Sequence, residues 1–264
     1  MLILISPAKT LDFDTRPVTR KHSEPRFLDA SAELVALMRE RSPADLAGLM
    51  SISDDLAELN SRRFSEWQPP FTRANAKQAV LAFRGDVYTG LDADAWRPAD
   101  FDWAQKRLRI LSGLYGVLRP LDLIQAYRLE MGTRVANGRG RDLYAFWRDR
   151  ITASLTEELE AARSRLVVNL ASNEYFGAVD ATALPGRLVT PAFLDEKNGE
   201  YRMIGFFAKK ARGAMASWIV RHRVRTADRL RDFAEDGYAL DDARTAAAPE
   251  GTLVFTRAAR AQAA

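Results

Sequence analysis

Short apolar segments typical of strands alternate along this chain with amphipathic helices, and this alternation constrains the fold more than any other feature. Leu2–Ile5 and Leu166–Leu170 are predominantly apolar runs of the length expected for buried strands. A Lys-Asn-Gly turn at residues 197–199 predicts a hairpin, because such a turn needs positive φ. We therefore predict a mixed α/β fold, with a mixed sheet surrounded by helices in one compact domain spanning residues 1–264.

The remaining elements follow from hydrophobic periodicity and from Gly and Pro breaks. Further strands are predicted at Arg107–Leu111, Leu123–Leu129, Arg187–Leu194, Glu200–Phe206, Tyr238–Leu240 and Thr252–Thr256. Helices are predicted at Leu28–Arg41, Pro43–Met50, Asp54–Trp67, Asp86–Leu91, Pro98–Gln105 and Tyr144–Ala162. Ala79–Phe83 fits either a helix or a strand, Thr10–Pro25 fits a surface loop, and the Ala-rich tail from Ala258 fits a frayed end.

Composition excludes several kinds of site. The 264 residues are 47% hydrophobic and 28% charged, which is ordinary for a globular protein, and the length is near the upper limit for one core. The absence of cysteine excludes disulfides, thiolate metal sites and cysteine nucleophiles. No stretch approaches the roughly 20 apolar residues of a membrane span, and the N-terminal run is too short for a secretory signal. We expect a cytoplasmic monomer without a cofactor, metal site or membrane partner.

Residues 206–225 predict a helix that is apolar on one side and basic on the other. Its apolar stripe contains Phe207, Ala211, Ala214, Met215, Trp218 and His222. Its other side contains Lys209, Arg212 and Arg223 around the small residues Gly213 and Ala216, with Lys210 at the rim. One interpretation is a phosphate-binding face, whose small residues let an anion approach the backbone. The other is a core-packed helix with a solvated outer face.

Residues 46–60 have the outline of a helix-hairpin-helix, a motif that binds DNA phosphate through backbone N–H groups. This motif would lie in a helical subregion spanning about residues 28–67. Ser51, Ile52 and Ser53 would form the hairpin, with the two serines at positions usually occupied by glycine. The alternative is a plain pair of helices, in which Ser53 caps the second helix and Leu56 and Leu59 enter the core.

Polar residues follow three predicted strands, at the ends where α/β sheets bind ligands. They are Ser6 and Lys9 after the first strand, Ser112, Tyr115 and Arg119 after the strand ending at Leu111, and Asn169, Ser172, Asn173 and Glu174 around the end of the strand at 166–170. We expect these residues to line one shared cleft. With two histidines and no cysteine, conventional nucleophile–base chemistry is hard to assemble, and whether the protein is an enzyme stays open.

Five segments together resemble the bacterial peroxide-stress protein YaaA family. They are Ile5–Phe13 (ISPAKTLDF), Leu49–Asn60 (LMSISDDLAELN), Leu111–Arg134 (LSGLYGVLRPLDLIQAYRLEMGTR), Leu170–Phe176 (LASNEYF) and Lys209–Ile219 (KKARGAMASWI). The resemblance implies a cytoplasmic protein induced by hydrogen peroxide, which limits free intracellular iron and oxidative DNA damage. It also implies one compact α/β fold with a positively charged cleft, a helix-hairpin-helix element and binding to double-stranded DNA.

We therefore predict a stress-response protein that binds double-stranded DNA without strong sequence specificity. The predicted phosphate contacts are the side chains of Lys9, Arg119, Lys209, Lys210, Arg212 and Arg223 and the hairpin at Ser51, Ile52 and Ser53. The alternative is an enzyme acting on a nucleotide or phosphorylated small molecule in the same cleft, with Glu174 or Tyr115 as the acid or base. An open basic surface would favour the first prediction, whereas a deep pocket with a buried Glu174 would favour the second.

Overall fold

An eight-stranded mixed sheet forms the centre of the structure, a computed structural model that describes residues 1–259. The strands are β1 (Leu2–Ile5), β2 (Thr10–Leu11), β3 (Lys77–Gln78), β4 (Phe83–Arg84), β5 (Leu108–Ser112), β6 (Gly116–Leu118), β7 (Leu123–Ile124), β8 (Leu166–Leu170), β9 (Arg187–Lys197), β10 (Glu200–Arg202), β11 (Ala239–Leu240) and β12 (Thr252–Arg257). The helices are α1 (Leu28–Arg39), α2 (Pro43–Met50), α3 (Asp54–Glu66), α4 (Ala79–Ala82), α5 (Asp86–Leu91), α6 (Pro98–Gln105), α7 (Leu143–Ala161), α8 (Asn173–Phe176), α9 (Gly205–Arg221), α10 (Ala227–Leu230) and α11 (Asp242–Ala247). The predicted mixed α/β class is confirmed.

The centre of the sheet is parallel and its margins are antiparallel. The strand order is β11-β12-β9-β8-β1-β5-β6, with β10 paired to β9. Neighbouring strands from β12 to β5 in this order run parallel, whereas β6, β10 and β11 pair antiparallel with their neighbours. Strands β1, β5 and β8 are buried along their whole length, as expected for parallel strands covered on both faces.

The direction of the strand order changes at β1. From β1 the chain continues to β5 on one side, and it returns later to β8 on the other side. Ligands of α/β proteins bind outside the carboxyl ends of the strands at such a switch point, because the connections diverge there and leave a crevice. The topology therefore places a crevice beyond Ile5 and Leu170.

The strands of the structure differ from the predicted strands in two regions. The strand predicted at Leu123–Leu129 is limited to Leu123–Ile124, because the side chain of Gln125 then forms two 3.0 Å hydrogen bonds with the backbone of Gln68. Conversely, Gly116–Leu118 was not predicted to be a strand but forms β6, which returns antiparallel onto β5. The indole of Trp147 donates a hydrogen bond of 2.9 Å to the carbonyl of Gly113 and so covers this hairpin.

Several other boundaries shift by smaller amounts. Ala79–Phe83, which fitted either type, forms the helix α4 and continues into β4. The strand predicted to reach Phe206 ends at Arg202, and α9 begins at Gly205. The predicted loop at Thr10–Pro25 contains the short strand β2, which pairs with β4. Most of the tail predicted to fray lies outside the described residues.

The backbones of α5 and α9 are in direct contact, and two glycines permit this. A Cβ atom on Gly213 would lie 1.8 Å from the carbonyl oxygen of Val87, and one on Gly90 would lie 2.0 Å from that of Lys210. The small residues of α9 therefore fit against α5. The expectation that Gly213 leaves room for an anion is wrong, because the carbonyl of Val87 already occupies that space.

Candidate anion-binding cleft

A cleft of about 340 Å³ opens at the carboxyl ends of β1 and β8, at the switch point of the sheet. Its polar lining consists of Ser6, Lys9, Thr10, Arg84, Asp86, Glu130, Ser172, Glu174, Tyr175, Lys209 and Arg212. Six of the residues predicted from the strand ends and the basic helix therefore meet in one place: Ser6, Lys9, Ser172, Glu174, Lys209 and Arg212. The cleft is where β1, β8 and α9 converge.

Two serine hydroxyls join the ends of β1 and β8. The Oγ of Ser6 accepts a hydrogen bond of 2.9 Å from the backbone N–H of Ser172 and donates one of 3.2 Å to the Oγ of that residue. The phenol of Tyr88 donates a hydrogen bond of 3.2 Å to the carbonyl of Ser6. Burial raises the pKa of Tyr88 and of Tyr175 well above the usual value, so both phenols remain neutral. This part of the wall provides neutral hydrogen-bonding groups.

Lys209 and Arg212 on α9 are the unneutralised cations of the cleft. Within residues 1–259 neither side chain has an ion-pair or hydrogen-bond partner. Lys209 is exposed, whereas Arg212 is half-buried, and this burial lowers the pKa of its guanidinium. An arginine keeps its charge in proteins despite such a shift. Two positive charges therefore face the cleft without a counter-charge.

The other cations of the cleft are paired with carboxylates. Lys9 lies 2.7 Å from Glu130, which also contacts Arg128 at 3.1 Å. Arg84 contacts both Asp12 and Asp94 at 3.1 Å. The pKa of Asp12 lies well below its usual range, mainly because the backbone N–H of Thr15 donates a hydrogen bond to it and also because cations lie nearby. These ion pairs position Lys9 and Arg84 but reduce the charge that they offer a ligand.

Glu174 contributes a negative charge to the cleft, in contrast to Lys209 and Arg212. Its Oε1 accepts a hydrogen bond of 3.0 Å from the backbone N–H of Gly132, and the residue is exposed. Asp86, at the start of α5, adds another carboxylate. The cleft therefore combines positive and negative side chains with hydroxyl groups, which suits a ligand that has an anionic part and hydrogen-bond donors.

Three of the cations predicted to contact phosphate lie outside the cleft, and each is paired with an acid. Arg119 binds the buried Asp122 at 3.0 Å. Lys210 contacts Asp236 at 3.2 Å, and Arg223, beyond the end of α9, contacts the buried Asp100 at 2.6 Å. The expectation that these cations share one cleft with Lys9 is wrong. Strand β6 runs antiparallel to β5 and carries Arg119 away from the carboxyl ends of the parallel strands. Helix α9 directs successive side chains to different surfaces and ends before Arg223.

Some residues expected to line the cleft are buried elsewhere. The hydroxyl of Ser112 lies 2.6 Å from that of Tyr127, and the phenol of Tyr115 accepts a hydrogen bond of 3.0 Å from Trp67. Both residues are fully buried, and burial strongly raises the pKa of Tyr115. Neither can contact a ligand in the cleft, so Tyr115 is excluded as an acid or base there.

Two amide residues near the end of β8 are not part of the cleft wall either. Asn169 is buried, and its Oδ1 accepts a hydrogen bond of 3.0 Å from the N–H of Ala171, which holds the turn after β8. Asn173 is exposed at the start of α8 and does not line the cleft. The strand end was therefore predicted correctly, but only Ser172 and Glu174 of this group face the cavity.

The helical pair α2 and α3 is joined by a tight turn. Ser51 adopts φ 50° and ψ 55°, the left-handed conformation that a glycine would adopt more easily. Ser53 occupies the position before α3 without a capping hydrogen bond from its side chain, and Ile52 is half-buried. Leu56, which the plain-hairpin alternative placed in the core, is 37% exposed. None of these residues lines the cleft, and phosphate binding by this turn stays a prediction.

Arg84, Asp86, Glu130 and Tyr175 line the cleft but were not among the predicted site residues. Glu130 lies in a segment that contributed to the family resemblance, which was the available signal. Arg84 follows the stretch whose secondary structure was ambiguous, so its position could not be inferred. Among residues 1–259, no group of three or more His, Asp or Glu side chains could hold a metal ion.

Comparisons with known proteins agree with the family resemblance. Residues 1–244 match the family described as "Peroxide stress protein YaaA". A UPF0246 protein of Cellvibrio japonicus is 56% identical over 257 residues, covering 97% of this chain and 98% of the relative. A UPF0246 protein of Chromobacterium violaceum is 57% identical over 257 residues, covering 97% of this chain and 99% of the relative. None of the helices in the described part of the chain has the length and apolar character required to span a membrane. The chain therefore belongs to the YaaA family of peroxide stress proteins.

Proposed function

We propose that this peroxide stress protein acts in the cytoplasm by binding double-stranded DNA without strong sequence preference, with phosphate groups held in the cleft. The observation that carries the proposal is the pair of unneutralised cations, Lys209 and Arg212. A half-buried cation that lacks a counter-charge is stabilised when an anionic group binds beside it. The ion-paired Lys9 and Arg84 add positive charge at the margins of the same cavity.

Phosphate contacts of this kind provide affinity and orientation but do not read bases. The turn at Ser51–Ser53 would supply a further contact through backbone N–H groups of the hairpin. Binding would limit oxidative damage by covering DNA during peroxide stress. The association with lower intracellular iron stays a prediction of the family resemblance.

The double variant Lys209→Gln/Arg212→Gln tests the proposal by salt-titrated binding to a short duplex of mixed sequence. Each phosphate contact contributes roughly 0.9 to the slope of log affinity against log salt concentration. The slope of the double variant should therefore be smaller in magnitude by roughly 1.8. All duplex sequences should weaken by a similar factor. The matched control is Arg229→Gln/Arg231→Gln, which removes the same charge from exposed arginines that are paired with Asp232 and Asp242.

The proposal fails if the cleft variant binds the duplex with the same affinity and salt slope as its control. Equal weakening in both variants would show that net charge alone matters, and it would also reject the cleft as a specific contact.

A second candidate function is catalysis on a nucleotide or another phosphorylated small molecule. The observation that favours it is the size of the cleft, about 340 Å³, which falls within the range of small-molecule sites. The hydroxyls of Ser6 and Ser172 and the carboxylate of Glu174 would orient the non-phosphate part of the ligand. Saturable binding of a mononucleotide, lost in the cleft variant and accompanied by its conversion, would favour this function; conversion should also fall in Glu174→Gln.

A further inference from the structure

The amino-terminal edge of the same sheet carries a second concentration of cations. An open cavity of about 490 Å³ there is lined by five arginines. We call these residues the arginine edge: Arg107, Arg163, Arg165, Arg187 and Arg225. The remaining lining includes Met1, Ser164, Leu166 and Thr226, and it contains no aspartate or glutamate. None of these residues lines the cleft.

The strand register explains why these arginines meet. Leu166 pairs with Arg187, Leu2 pairs with Val167, and Ile3 pairs with Leu108. The neighbouring strands β9, β8, β1 and β5 therefore begin at the same level, and Arg187, Arg165 and Arg107 lie at three of these starts. With strands about 4.8 Å apart, the row from β9 to β5 is about 14 Å long.

The described residues do not neutralise the charges of the arginine edge. Among residues 1–259, none of the five arginines forms an ion pair with a carboxylate. Arg107 is held instead by stacking at 4.6 Å on the ring of Trp103. The pKa of the Met1 amine is lowered to about 6, first by burial and then by the charges of Arg107 and Arg225. The charges of these two arginines therefore add to the effect of burial on the amine.

A neighbouring cavity extends this surface. It has a volume of about 610 Å³, shares Ala162 with the arginine edge, and is lined by Lys106 and Arg119 among others. Lys106 is exposed, and Arg119 remains 40% exposed although it binds Asp122. Arg119, which was expected in the cleft, thus lies beside the arginine edge instead.

We propose that the arginine edge binds the phosphodiester backbone of a nucleic acid, at a surface separate from the cleft. A row of about 14 Å is long enough to contact more than one consecutive phosphate of a strand. A single small phosphate would leave most of the five charges unused. The planar guanidinium group is also the side chain best suited to bidentate contacts with phosphate oxygens. This inference goes beyond the proposed function, because it assigns a surface on the opposite edge of the sheet.

The test uses the full chain with Arg165→Gln, Arg187→Gln and Arg225→Gln combined. All three residues are exposed and lie outside ion pairs, so the fold should be retained. The control combines Arg16→Gln, Arg73→Gln and Arg202→Gln, which removes the same charge from exposed arginines that line neither cavity. Salt-titrated anisotropy of a fluorescent duplex is measured for both and for the cleft variant.

The edge variant should bind the duplex at least about tenfold more weakly, and its salt slope should be reduced by roughly 2.7. The affinity and salt slope of the control should change little. Because the two sites are distant, the edge substitutions should weaken binding by the same factor when the cleft is already altered. An edge variant that binds like the control overturns the inference. Binding of inorganic triphosphate at the arginine edge without binding of any duplex also overturns it, because the ligand would then be a small anion.

The same measurements separate this inference from the proposed function. If only the cleft substitutions weaken duplex binding, the arginine edge is rejected and the cleft is retained. If only the edge substitutions do so, the cleft is rejected as a DNA contact and the arginine edge is retained.

Discussion

The cleft and the arginine edge lie at opposite ends of the same parallel strands, yet their charges are arranged differently. In the cleft, four cations alternate with the carboxylates of Asp86, Glu130 and Glu174, and two of the cations are already ion-paired. At the arginine edge, five cations line an open cavity without any acid. A cavity with both signs of charge selects a ligand by its shape and by the positions of its charges, whereas a single-sign surface attracts any extended polyanion.

The comparison also separates two contributions to the proposed DNA binding. The arginine edge should supply most of the salt-dependent affinity, and the cleft should add contacts that depend on where a phosphate group is placed. Variants that alter one region and leave the other intact can therefore test each contribution separately.

The largest effect is expected from Gly213→Ala, which should displace α9 from α5. The added Cβ would meet the carbonyl of Val87 at 1.8 Å, so one of the two backbones must move. We expect a loss of about 3 kcal/mol in the free energy of unfolding, measured by urea denaturation. Because Lys209 and Arg212 lie on the same helix, ligand binding in the cleft should fall as well, while the arginine edge retains its affinity.

The control for this substitution is Gly48→Ala in α2, where a Cβ atom would meet nothing within 4 Å. There the loss of backbone entropy in the unfolded chain dominates, and the variant should be more stable by about 0.5–1 kcal/mol. If Gly213→Ala had the same stability as the wild type, the close contact between α5 and α9 would be contradicted.

Mononucleotide binding should distinguish the two regions by about tenfold. A mononucleotide with one phosphate chain fits the cleft, so Lys209→Gln/Arg212→Gln should weaken its binding while the triple edge variant should not. Isothermal titration of a mononucleotide into the three proteins measures this. The reverse order, with the edge variant affected most, would mean that the cleft does not select the phosphate group.

The sheet, the helix pair and the convergence at the switch point could be predicted from the sequence, since they depend on apolar periodicity and on strand ends. Ser6, Lys9, Ser172 and Glu174 were identified in this way, and Lys209 and Arg212 were identified from the basic face of one helix. Pairing with acids could not be predicted, because the partners are distant in sequence: Arg223 binds Asp100, for example. The close packing at Gly213 was equally hidden, since periodicity does not reveal which helix covers a small residue.

The arginine edge had no sequence signal because its five arginines come from four separate parts of the chain. Arg107, Arg165 and Arg187 lie at the starts of three strands, and only the register of β9, β8 and β5 about β1 brings them together. Sequence analysis concentrated on the block of basic residues in α9 instead, where the charges are close along the chain but spread over different surfaces.

A smaller effect, of the opposite sign, is expected from Glu130→Gln. This substitution keeps the shape of the side chain but removes the negative charge that neutralises Lys9 and Arg128. Anion affinity of the cleft should therefore increase by several-fold, or about 1 kcal/mol, while duplex binding at the arginine edge should not change. Titration of a mononucleotide against the wild type provides the measurement, and a decrease in affinity would contradict the role assigned to Glu130.

The smallest effect concerns the pH dependence of stability at the arginine edge. The pKa of the Met1 amine is lowered from 8.0 to about 6, so the folded state binds this proton less readily than the unfolded state. Stability should therefore decrease as the pH falls from about 8 to about 6, and it should be constant above that window as far as this group is concerned. Because the cavity beside the amine is open and solvent screens the arginine charges there, we expect less than about 1 kcal/mol.

This pH effect can be measured by urea denaturation across that window. Nα-acetylation removes the charge and should abolish this part of the pH dependence. Replacing Arg107 and Arg225 with glutamine should reduce it. An unchanged profile in the acetylated protein would show that the amine does not sense the arginines.

The most direct test of the central claim is lysine acetylation, read residue by residue by mass spectrometry with and without duplex DNA. The account predicts that the duplex slows acetylation of Lys209 in the cleft and of Lys106 beside the arginine edge. Exposed Lys197, on β9 away from both, should react at the same rate in either case. If Lys209 is acetylated equally fast with and without the duplex, the cleft does not hold DNA phosphate.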